Sequence, residues 1–171
     1  MVEYNVTLEG KTVLVTGAAG FIGSNLVKRL FHDVKDIKVI GIDSITDYYD
    51  VNIKYERLKE IKQCLSVIVD QKSEMDENGV ESGFYQGQNG SIWTFVHASI
   101  ADKEAVEAVE KIFTENYIAV VVNLAAQAGV RYSITNPRMN RSNQETFRSK
   151  SLKQVVGAKL SITNLDSNKI Q

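Results

Sequence analysis

A glycine-rich turn between an apolar run and an amphipathic segment constrains the fold of this 171-residue chain most strongly. The apolar run Thr12–Val15 leads directly into TGAAGFIG over Thr16–Gly23, and an acidic residue, Asp43, stands twenty positions after the last glycine. Strand, glycine turn, helix, strand and acid follow one another in this order in dinucleotide-binding βαβ units. The alternative interpretation is a structural glycine turn in another kind of α/β domain.

Each glycine has a separate predicted role in such a turn. Gly17 permits the tight bend that leaves the strand, where a Cβ would clash. Gly20 lets a pyrophosphate approach the backbone, and Gly23 lets the helix pack closely against the strand. The phosphates would then meet the free N–H groups of Phe21 and Ile22 at the positive end of the helix dipole.

Asp43 is the predicted partner of the adenosine ribose, because its carboxylate can accept hydrogen bonds from the ribose hydroxyls at the end of the second strand. The next residues, 44–47, include no Arg or Lys that could bind a 2′-phosphate. Such a phosphate, with a charge of about −1.5 to −2, would lie against the Asp43 carboxylate. The sequence therefore predicts NAD rather than NADP. In the alternative interpretation, Asp43 caps the following helix.

Hydrophobic periodicity predicts an α/β fold with a Rossmann-type, doubly wound parallel sheet. The predicted strands are 11–16, 36–43, 92–97 and 118–124, and the predicted helices are 21–31, 52–69 and 101–116. Residues 70–91 are polar and rich in glycine, which predicts a surface hairpin or loop. Residues 125–137 form a predicted loop at the carboxyl ends of the strands, where ligands bind in such sheets.

Composition excludes several classes of function. Two histidines and one cysteine, Cys64, give no metal-ligand cluster and no internal disulfide. Neither a membrane-length apolar stretch nor the basic start of a signal peptide is present, which predicts a cytoplasmic protein with no membrane contact. Residues 1–137 have a net charge of −6, whereas residues 138–171 have +5. The basic segment is interpreted as a solvated tail, since a nucleic-acid arm would need denser basic runs interleaved with aromatic residues.

Two longer motifs resemble a known family. The glycine motif has the form found in extended short-chain dehydrogenases/reductases. Nucleotide-sugar epimerases that act on UDP-glucuronate are similar to this chain in Asp47-Tyr48-Tyr49-Asp50-Val51, Lys54, Arg57-Leu58, Asn123–Ser133 and Asn136-Pro137. The resemblance covers residues 8–137.

The resemblance implies a UDP-glucuronate 4-epimerase, which forms UDP-galacturonate through a transient 4-keto sugar with tightly held NAD. It also implies that Leu124, Ala125 and Ala126 line the nicotinamide side of the cofactor, and that Ile100 offers backbone contacts to adenine. Ser99 stands where many relatives have Asp; it belongs to the predicted adenine pocket, to a helix cap, or to both.

The family's catalytic Tyr-x-x-x-Lys pair is not found at its expected place, after a fifth strand. The one such spacing, Tyr55 to Lys59, falls between the second and third strands and is interpreted as an ordinary helical pair. No catalytic residue is therefore assigned. We expect residues 1–137 to form a partial NAD-binding domain and residues 138–171 to be a divergent tail, truncated or frame-shifted relative to the family.

These observations predict the NAD-binding portion of a nucleotide-sugar epimerase, inactive alone, with a UDP-sugar as the substrate of the full-length relatives. Whether this chain is itself an enzyme stays open. Alternatives are a fragment of a 4,6-dehydratase or decarboxylase, and a non-catalytic NAD-binding module. The fourth strand is apolar on both faces, and an uncovered sheet edge there predicts self-association.

Overall fold

The computed structural model describes residues 7–47, 49–65, 67–75, 81–99 and 116–125. These parts of the chain form six strands and two helices. The strands are β1 (Thr12–Thr16), β2 (Lys38–Asp43), β3 (Val67–Met75), β4 (Glu81–Gly87), β5 (Ile92–His97) and β6 (Ile118–Asn123), and the helices are α1 (Phe21–Asp33) and α2 (Val51–Leu65).

The strands form one sheet in the order β3-β4-β5-β2-β1-β6. Strands β5, β2, β1 and β6 run parallel to one another. Strand β4 pairs antiparallel with β5, and β3 pairs antiparallel with β4, so this hairpin extends the sheet beyond β5. The parallel strands follow the Rossmann order for their positions in the chain. The predicted α/β, Rossmann-type fold is therefore confirmed, although the hairpin makes the sheet mixed rather than wholly parallel.

The region between β2 and β5 differs most from the prediction. Helix α2 ends at Leu65 rather than near residue 69, and Ile68 lies in β3. The run Val67-Ile68-Val69 is β-branched throughout and fits a strand better than a helix. In the structure this run pairs with β4 as part of strand β3. The hairpin, which was one of the two predicted alternatives for residues 70–91, is therefore part of the sheet. The helix predicted over 101–116 lies almost entirely outside the described residues.

A large apolar cluster fills the space between the sheet and both helices. Its members include Val15, Val27, Phe31, Val39, Leu58, Ile61 and Trp93. A smaller cluster, Leu14, Ile40, Ile42 and Ile118, lies on the opposite face of the sheet. Helices α1 and α2 also contact each other through Lys28 and Glu60, whose charged groups are 2.7 Å apart. The Lys28 hydrogen bond lowers the pKa of the Glu60 carboxyl.

Trp93 is the largest fully buried side chain of the described residues. Its ring meets Phe31 edge-on at 6.2 Å between centroids and stacks on Phe95 at 6.1 Å. The indole also covers Gly41 in the neighbouring strand, where an ideal Cβ would lie 2.1 Å from the Trp93 Cη2 atom. A glycine in β2 thus makes room for a tryptophan in β5, which fixes how α1 sits above the two strands.

Candidate cofactor site

The turn after β1 has the shape that the glycine motif predicts. Gly17 has φ +71°, and its N–H donates to the Ile42 carbonyl oxygen at 2.7 Å. A Cβ at Gly17 would lie 2.9 Å from the Ala125 nitrogen and from the Leu124 carbonyl carbon. A side chain would therefore be strained here by both its backbone angle and its neighbours. The turn closes directly against the segment that follows β6.

Gly23 and Gly20 differ in what surrounds them. A Cβ on Gly23 would lie 2.1 Å from the Gly17 carbonyl oxygen, so the first turn of α1 packs tightly on the glycine turn. A Cβ on Gly20 would meet a single neighbouring atom, the same Gly17 oxygen at 3.0 Å. Gly20 is the N-cap of α1, and no acidic side chain lies in the first turn of this helix. This cradle suits the pyrophosphate of a dinucleotide, because bare backbone and a positive helix end face the same space.

Phe21 and Ile22 begin α1 with largely exposed side chains, 70% and 67% respectively. Neither side chain contributes to the core, which contains Val27 and Phe31 from the later turns of the same helix. The two side chains therefore lie outside the apolar core. Their predicted role is a backbone role, as donors to phosphate, and the geometry is compatible with it.

Asp43 lies at the carboxyl end of β2 with 7% of its surface exposed. Its Oδ2 accepts the Ala19 N–H at 3.0 Å, and its Oδ1 accepts the Ile45 N–H at 2.9 Å. Helix α2 is capped by Asp50, whose Oδ1 accepts the Asn52 N–H at 3.0 Å, so Asp43 is not the helix cap of the alternative interpretation. Asp43 instead joins the end of β2 to the glycine turn.

Lys54 is a member of the site to which the sequence analysis gave no role. Its Nζ lies 3.5 Å from Asp43 Oδ1 and 3.3 Å from Thr46 Oγ1, and 5.3 Å from the centre of the Tyr49 ring. The Lys54 side chain is only 6% exposed. A signal for it exists in the sequence, because Lys54 precedes Leu58 and Ile61 on the buried face of α2 at helical spacing. A cation in an apolar series indicates a buried partner.

Arg57, on helix α2, also contacts the glycine turn. Its Nη1 donates to the Tyr49 hydroxyl at 2.9 Å and to the Ala19 carbonyl at 3.4 Å. The guanidinium carbon lies 5.7 Å from the ring centres of Phe21 and Tyr49. Since Asp43 accepts the Ala19 N–H, both polar groups of this turn residue are bonded to side chains. The turn is thereby fixed by residues from β2 and α2.

The segment after β6 is fixed by Thr16, the last residue of β1. The Thr16 hydroxyl donates to Asn123 Oδ1 at 2.5 Å and accepts the Ala125 N–H at 3.2 Å. The Leu124 N–H donates to the Thr16 carbonyl at 3.2 Å. Leu124 and Ala125 thus lie beside the glycine turn, as the nicotinamide-side prediction requires; Ala126 lies outside the described residues.

Strand β5 ends at the same edge of the sheet. The Ala98 N–H donates to the Asp43 carbonyl oxygen at 3.1 Å, and Ser99 is the next residue. Ser99 therefore directly follows a residue that is hydrogen-bonded to the Asp43 backbone, at the edge of the sheet where the adenine pocket is predicted. Ile100 lies outside the described residues, as does the segment 101–115 where the helix capped by Ser99 is predicted.

Tyr55 and Lys59 take separate positions on α2. Tyr55 packs against the large apolar cluster, whereas Lys59 is exposed and pairs with Glu56 at 3.7 Å. Tyr55 and Lys59 thus have different partners although they are one helical turn apart. Within the described ranges, no group of His, Cys, Asp and Glu side chains could hold a metal ion. The same residues include no helix that is long and apolar enough to cross a membrane.

Residues 13–146 match the model of the NAD dependent epimerase/dehydratase family. The chain belongs to this family. The epimerase/dehydratase chain is 41% identical to Protein CapI of Staphylococcus aureus over 126 residues, which are 74% of this chain and 28% of CapI. It is 37% identical to the UDP-glucuronate 4-epimerase of Thermodesulfobacterium geofontis over 124 residues, 72% of this chain and 29% of that enzyme. The chain thus spans less than a third of these relatives.

Solved structures agree with the family assignment at the level of the fold. UDP-glucose 4-epimerase from Bifidobacterium longum, in complex with NAD+ and UDP, matches with a TM-score of 0.56 and 23% identity. The match covers 86% of this epimerase/dehydratase chain and 34% of that structure. The family's cofactor is NAD, which confirms the cofactor predicted from Asp43 and from the residues that follow it.

Proposed function

We propose that this chain is the NAD-binding portion of a nucleotide-sugar epimerase that forms UDP-galacturonate from UDP-glucuronate. The carrying observation is the convergence of the glycine cradle, Asp43 and the Leu124-Ala125 segment at one edge of the sheet. Similarity to UDP-glucuronate 4-epimerases supports the choice of substrate. A nucleotide-sugar 4,6-dehydratase or decarboxylase would have the same cradle and is the alternative within the family.

At the pyrophosphate, the backbone of this chain does the binding. Gly20 keeps the space above α1 free of side chains, and the N–H groups of Phe21 and Ile22 point along the positive end of the helix. Arg57 and Asp43 hold Ala19 in place, so the turn is ordered before the ligand arrives. Preorganisation of this kind lowers the entropy that binding would otherwise cost.

At the adenosine ribose, Asp43 supplies an acceptor. Its Oδ1 is used by the Ile45 N–H and by Lys54, whereas its Oδ2 has one protein donor, Ala19, among the described residues. A carboxylate oxygen has two lone pairs, so one position on Oδ2 is available for a ribose hydroxyl. Ser99 and Ile100 would then border the adenine at the adjacent end of β5.

Beside the nicotinamide, Leu124, Ala125 and Ala126 would form an apolar wall that orients the ring and excludes water. Bound NAD supplies reversible hydride acceptance at the sugar carbon. Proton transfer at the sugar hydroxyl needs a base, and the family's Tyr-x-x-x-Lys pair is not found in this sequence at its expected place after a fifth strand. We therefore propose that residues 1–171 bind the cofactor without completing the epimerase reaction.

Calorimetric titration of the 171-residue chain with NAD and with NADP tests the binding function. We expect NAD to bind more tightly, because a 2′-phosphate would approach the Asp43 carboxylate. A Gly20→Val variant is the matched negative control, since its β-branched side chain would occupy the pyrophosphate space. Equal or tighter binding of NADP, or no binding of NAD, would contradict the proposal.

An assay for UDP-galacturonate, with NAD and UDP-glucuronate added, tests the absence of turnover. We expect no conversion above background. Turnover that disappears in a Tyr55→Phe variant would mean that the helical pair on α2 is catalytic after all. A non-catalytic NAD-binding module is the second candidate, favoured by the separate contacts of Tyr55, which packs on the apolar cluster, and Lys59, which pairs with Glu56. Reading the coding DNA beyond codon 137 separates the two, because a Tyr-x-x-x-Lys in another frame would indicate an interrupted epimerase.

A further inference from the structure

Lys54 places a cation beside the residue that is expected to exclude NADP. Its ammonium group shares Asp43 Oδ1 with the Ile45 N–H, and both charged side chains are more than nine-tenths buried. Its other described contacts are with uncharged groups, the Thr46 hydroxyl and the face of the Tyr49 ring. Among the described residues, Asp43 is thus the carboxylate with which Lys54 pairs.

The expected preference for NAD therefore cannot rest on the absence of a cation near Asp43, which is half of the argument from the sequence. Residues 44–47 contain no cation, but the fold brings one in from α2. A ribose hydroxyl on Asp43 Oδ2 and the Lys54 ammonium at Oδ1 would share one carboxylate. A cation of the kind that a 2′-phosphate needs is thus bound to the residue that is expected to hold the ribose, and the Asp43 charge keeps it occupied.

We propose that Lys54 and Asp43 form a masked 2′-phosphate site, in which Lys54 sets how strongly the chain discriminates between NAD and NADP. When Asp43 carries its charge, the ion pair satisfies Lys54 and the carboxylate repels a second anion. In an Asp43→Asn variant, Lys54 would be a buried cation without this anionic partner, which is unfavourable until an anion binds. The 2′-phosphate of NADP is the anion that the bound nucleotide would bring to it. The inference rests on nucleotide binding at the proposed cofactor site.

The test compares dissociation constants for NAD and NADP in four forms of the 171-residue chain: the unmodified chain, Asp43→Asn, Asp43→Asn/Lys54→Met, and Lys54→Met. We expect Asp43→Asn to bind NADP at least about tenfold more tightly than the unmodified chain, as a charge-assisted hydrogen bond predicts. The added Lys54→Met change should remove this gain. The fragments 5′-AMP and adenosine 2′,5′-bisphosphate, which differ only in the 2′-phosphate, should show the same pattern.

Lys54→Met alone keeps the test decisive if Asp43→Asn does not fold. Methionine preserves the unbranched apolar stem, and Asp43 keeps its two backbone donors. We expect the ratio of the NADP to the NAD dissociation constant to rise, because no cation then offsets the repulsion by Asp43. Lys59→Met is the matched control, since Lys59 lies on the same helix but is exposed and paired with Glu56. Its ratio should equal that of the unmodified chain.

The outcomes separate this inference from the proposed function. If the unmodified chain binds neither nucleotide, both are wrong. If it binds NAD but Lys54→Met leaves the NADP to NAD ratio unchanged, the masked site is wrong and the NAD-binding function stands. A gain in NADP binding by Asp43→Asn that persists without Lys54 would also overturn the masked site, because removal of repulsion alone would then explain it.

Discussion

The indole of Trp93 lies where the side chain of Gly41 would be: an ideal Cβ at Gly41 is 2.1 Å from Trp93 Cη2 and 2.8 Å from the Ala18 Cβ. The φ angle of Gly41 is not positive, so the lack of space for a side chain, rather than the backbone angle, requires glycine at this position. The relationship couples β2, β5 and the glycine turn, because Ala18 belongs to that turn. Packing of the core and shape of the cofactor site therefore depend on one small residue.

Gly41→Ala should destabilise the chain by about 1–3 kcal/mol, as expected for one extra methyl group in a filled core. Urea unfolding of the variant and the unmodified chain measures the difference. The loss should be smaller in a Trp93→Leu background, since the clashing ring is absent there. Equal losses in both backgrounds would mean that the indole does not restrict Gly41.

Gly23→Ala and Gly20→Val should separate folding from binding. A Cβ at Gly23 would lie 2.1 Å from a backbone oxygen, which cannot rotate away. We expect this variant to lose about 2 kcal/mol or more of stability, together with NAD binding. Gly20→Val should lose NAD binding with a much smaller change in its urea midpoint. A Gly20→Val variant as unstable as Gly23→Ala would show that Gly20 is structural.

Thr16→Val should loosen the segment that carries Leu124 and Ala125. Thr16 is fully buried, and its hydroxyl bonds both Asn123 Oδ1 and the Ala125 N–H. Valine fills the same volume but removes both hydrogen bonds, and the exposed Asn123 side chain can then bond to water. We expect a cost of about 1 kcal/mol. Thr16→Ser keeps the hydroxyl and is the control. Thermal melts and NAD titrations should rank the unmodified chain and Thr16→Ser above Thr16→Val; equal values for Ser and Val would exclude the hydroxyl's role.

NAD should raise the melting temperature through mass action. At a concentration of about 100 times its dissociation constant, a ligand adds about 2.7 kcal/mol of stability. For a chain of this length, this corresponds to a rise of roughly 5–10 °C. Differential scanning fluorimetry with the Gly20→Val variant as control measures the effect. A melting temperature that does not respond to NAD would indicate that the cofactor site is not formed in this chain.

Self-association is expected at β6, which ends the described part of the sheet. Its residues 119–122 are only partly buried, and Tyr117 just before the strand is 71% exposed. An uncovered apolar edge pairs readily with a second strand. Size-exclusion chromatography over a range of protein concentrations should show a shift to larger species, reduced by Tyr117→Lys. A monomer at every concentration would contradict this expectation.

The parallel strands and α1 could be predicted because their signals are local. The glycine turn, the β-branched runs and Asp43 each specify structure within a few residues, and the observed strand bounds differ by at most two positions. Strand β3 could not be predicted in this way: Val67-Ile68-Val69 continues the apolar spacing of α2, and only the pairing with β4 distinguishes strand from helix. A periodicity argument contains no information about that partner.

Within the candidate site, the glycines with a proposed backbone role were the most predictable. Gly17, Gly20 and Gly23 are defined by what they lack, and this is visible in a sequence. Lys54 and Arg57 act on Asp43 and Ala19 across more than ten positions of the chain, so their roles appear only when α2 is packed on the sheet. Lys54 follows Asp43 by 11 positions, so the residues next to Asp43 in the sequence give no sign of this cation.

The hairpin of β3 and β4 also affects the order in which this sheet can assemble. Parallel pairing of β2 with β5 joins residues about fifty positions apart, and such non-local contacts form slowly because a long loop must close first. Strands β3, β4 and β5 are consecutive and antiparallel, so they can form a meander from local contacts alone. The meander would present Trp93 and Tyr85 as one preassembled surface. Docking of β2 onto that surface, with Gly41 accepting the indole, then becomes a single late step of folding.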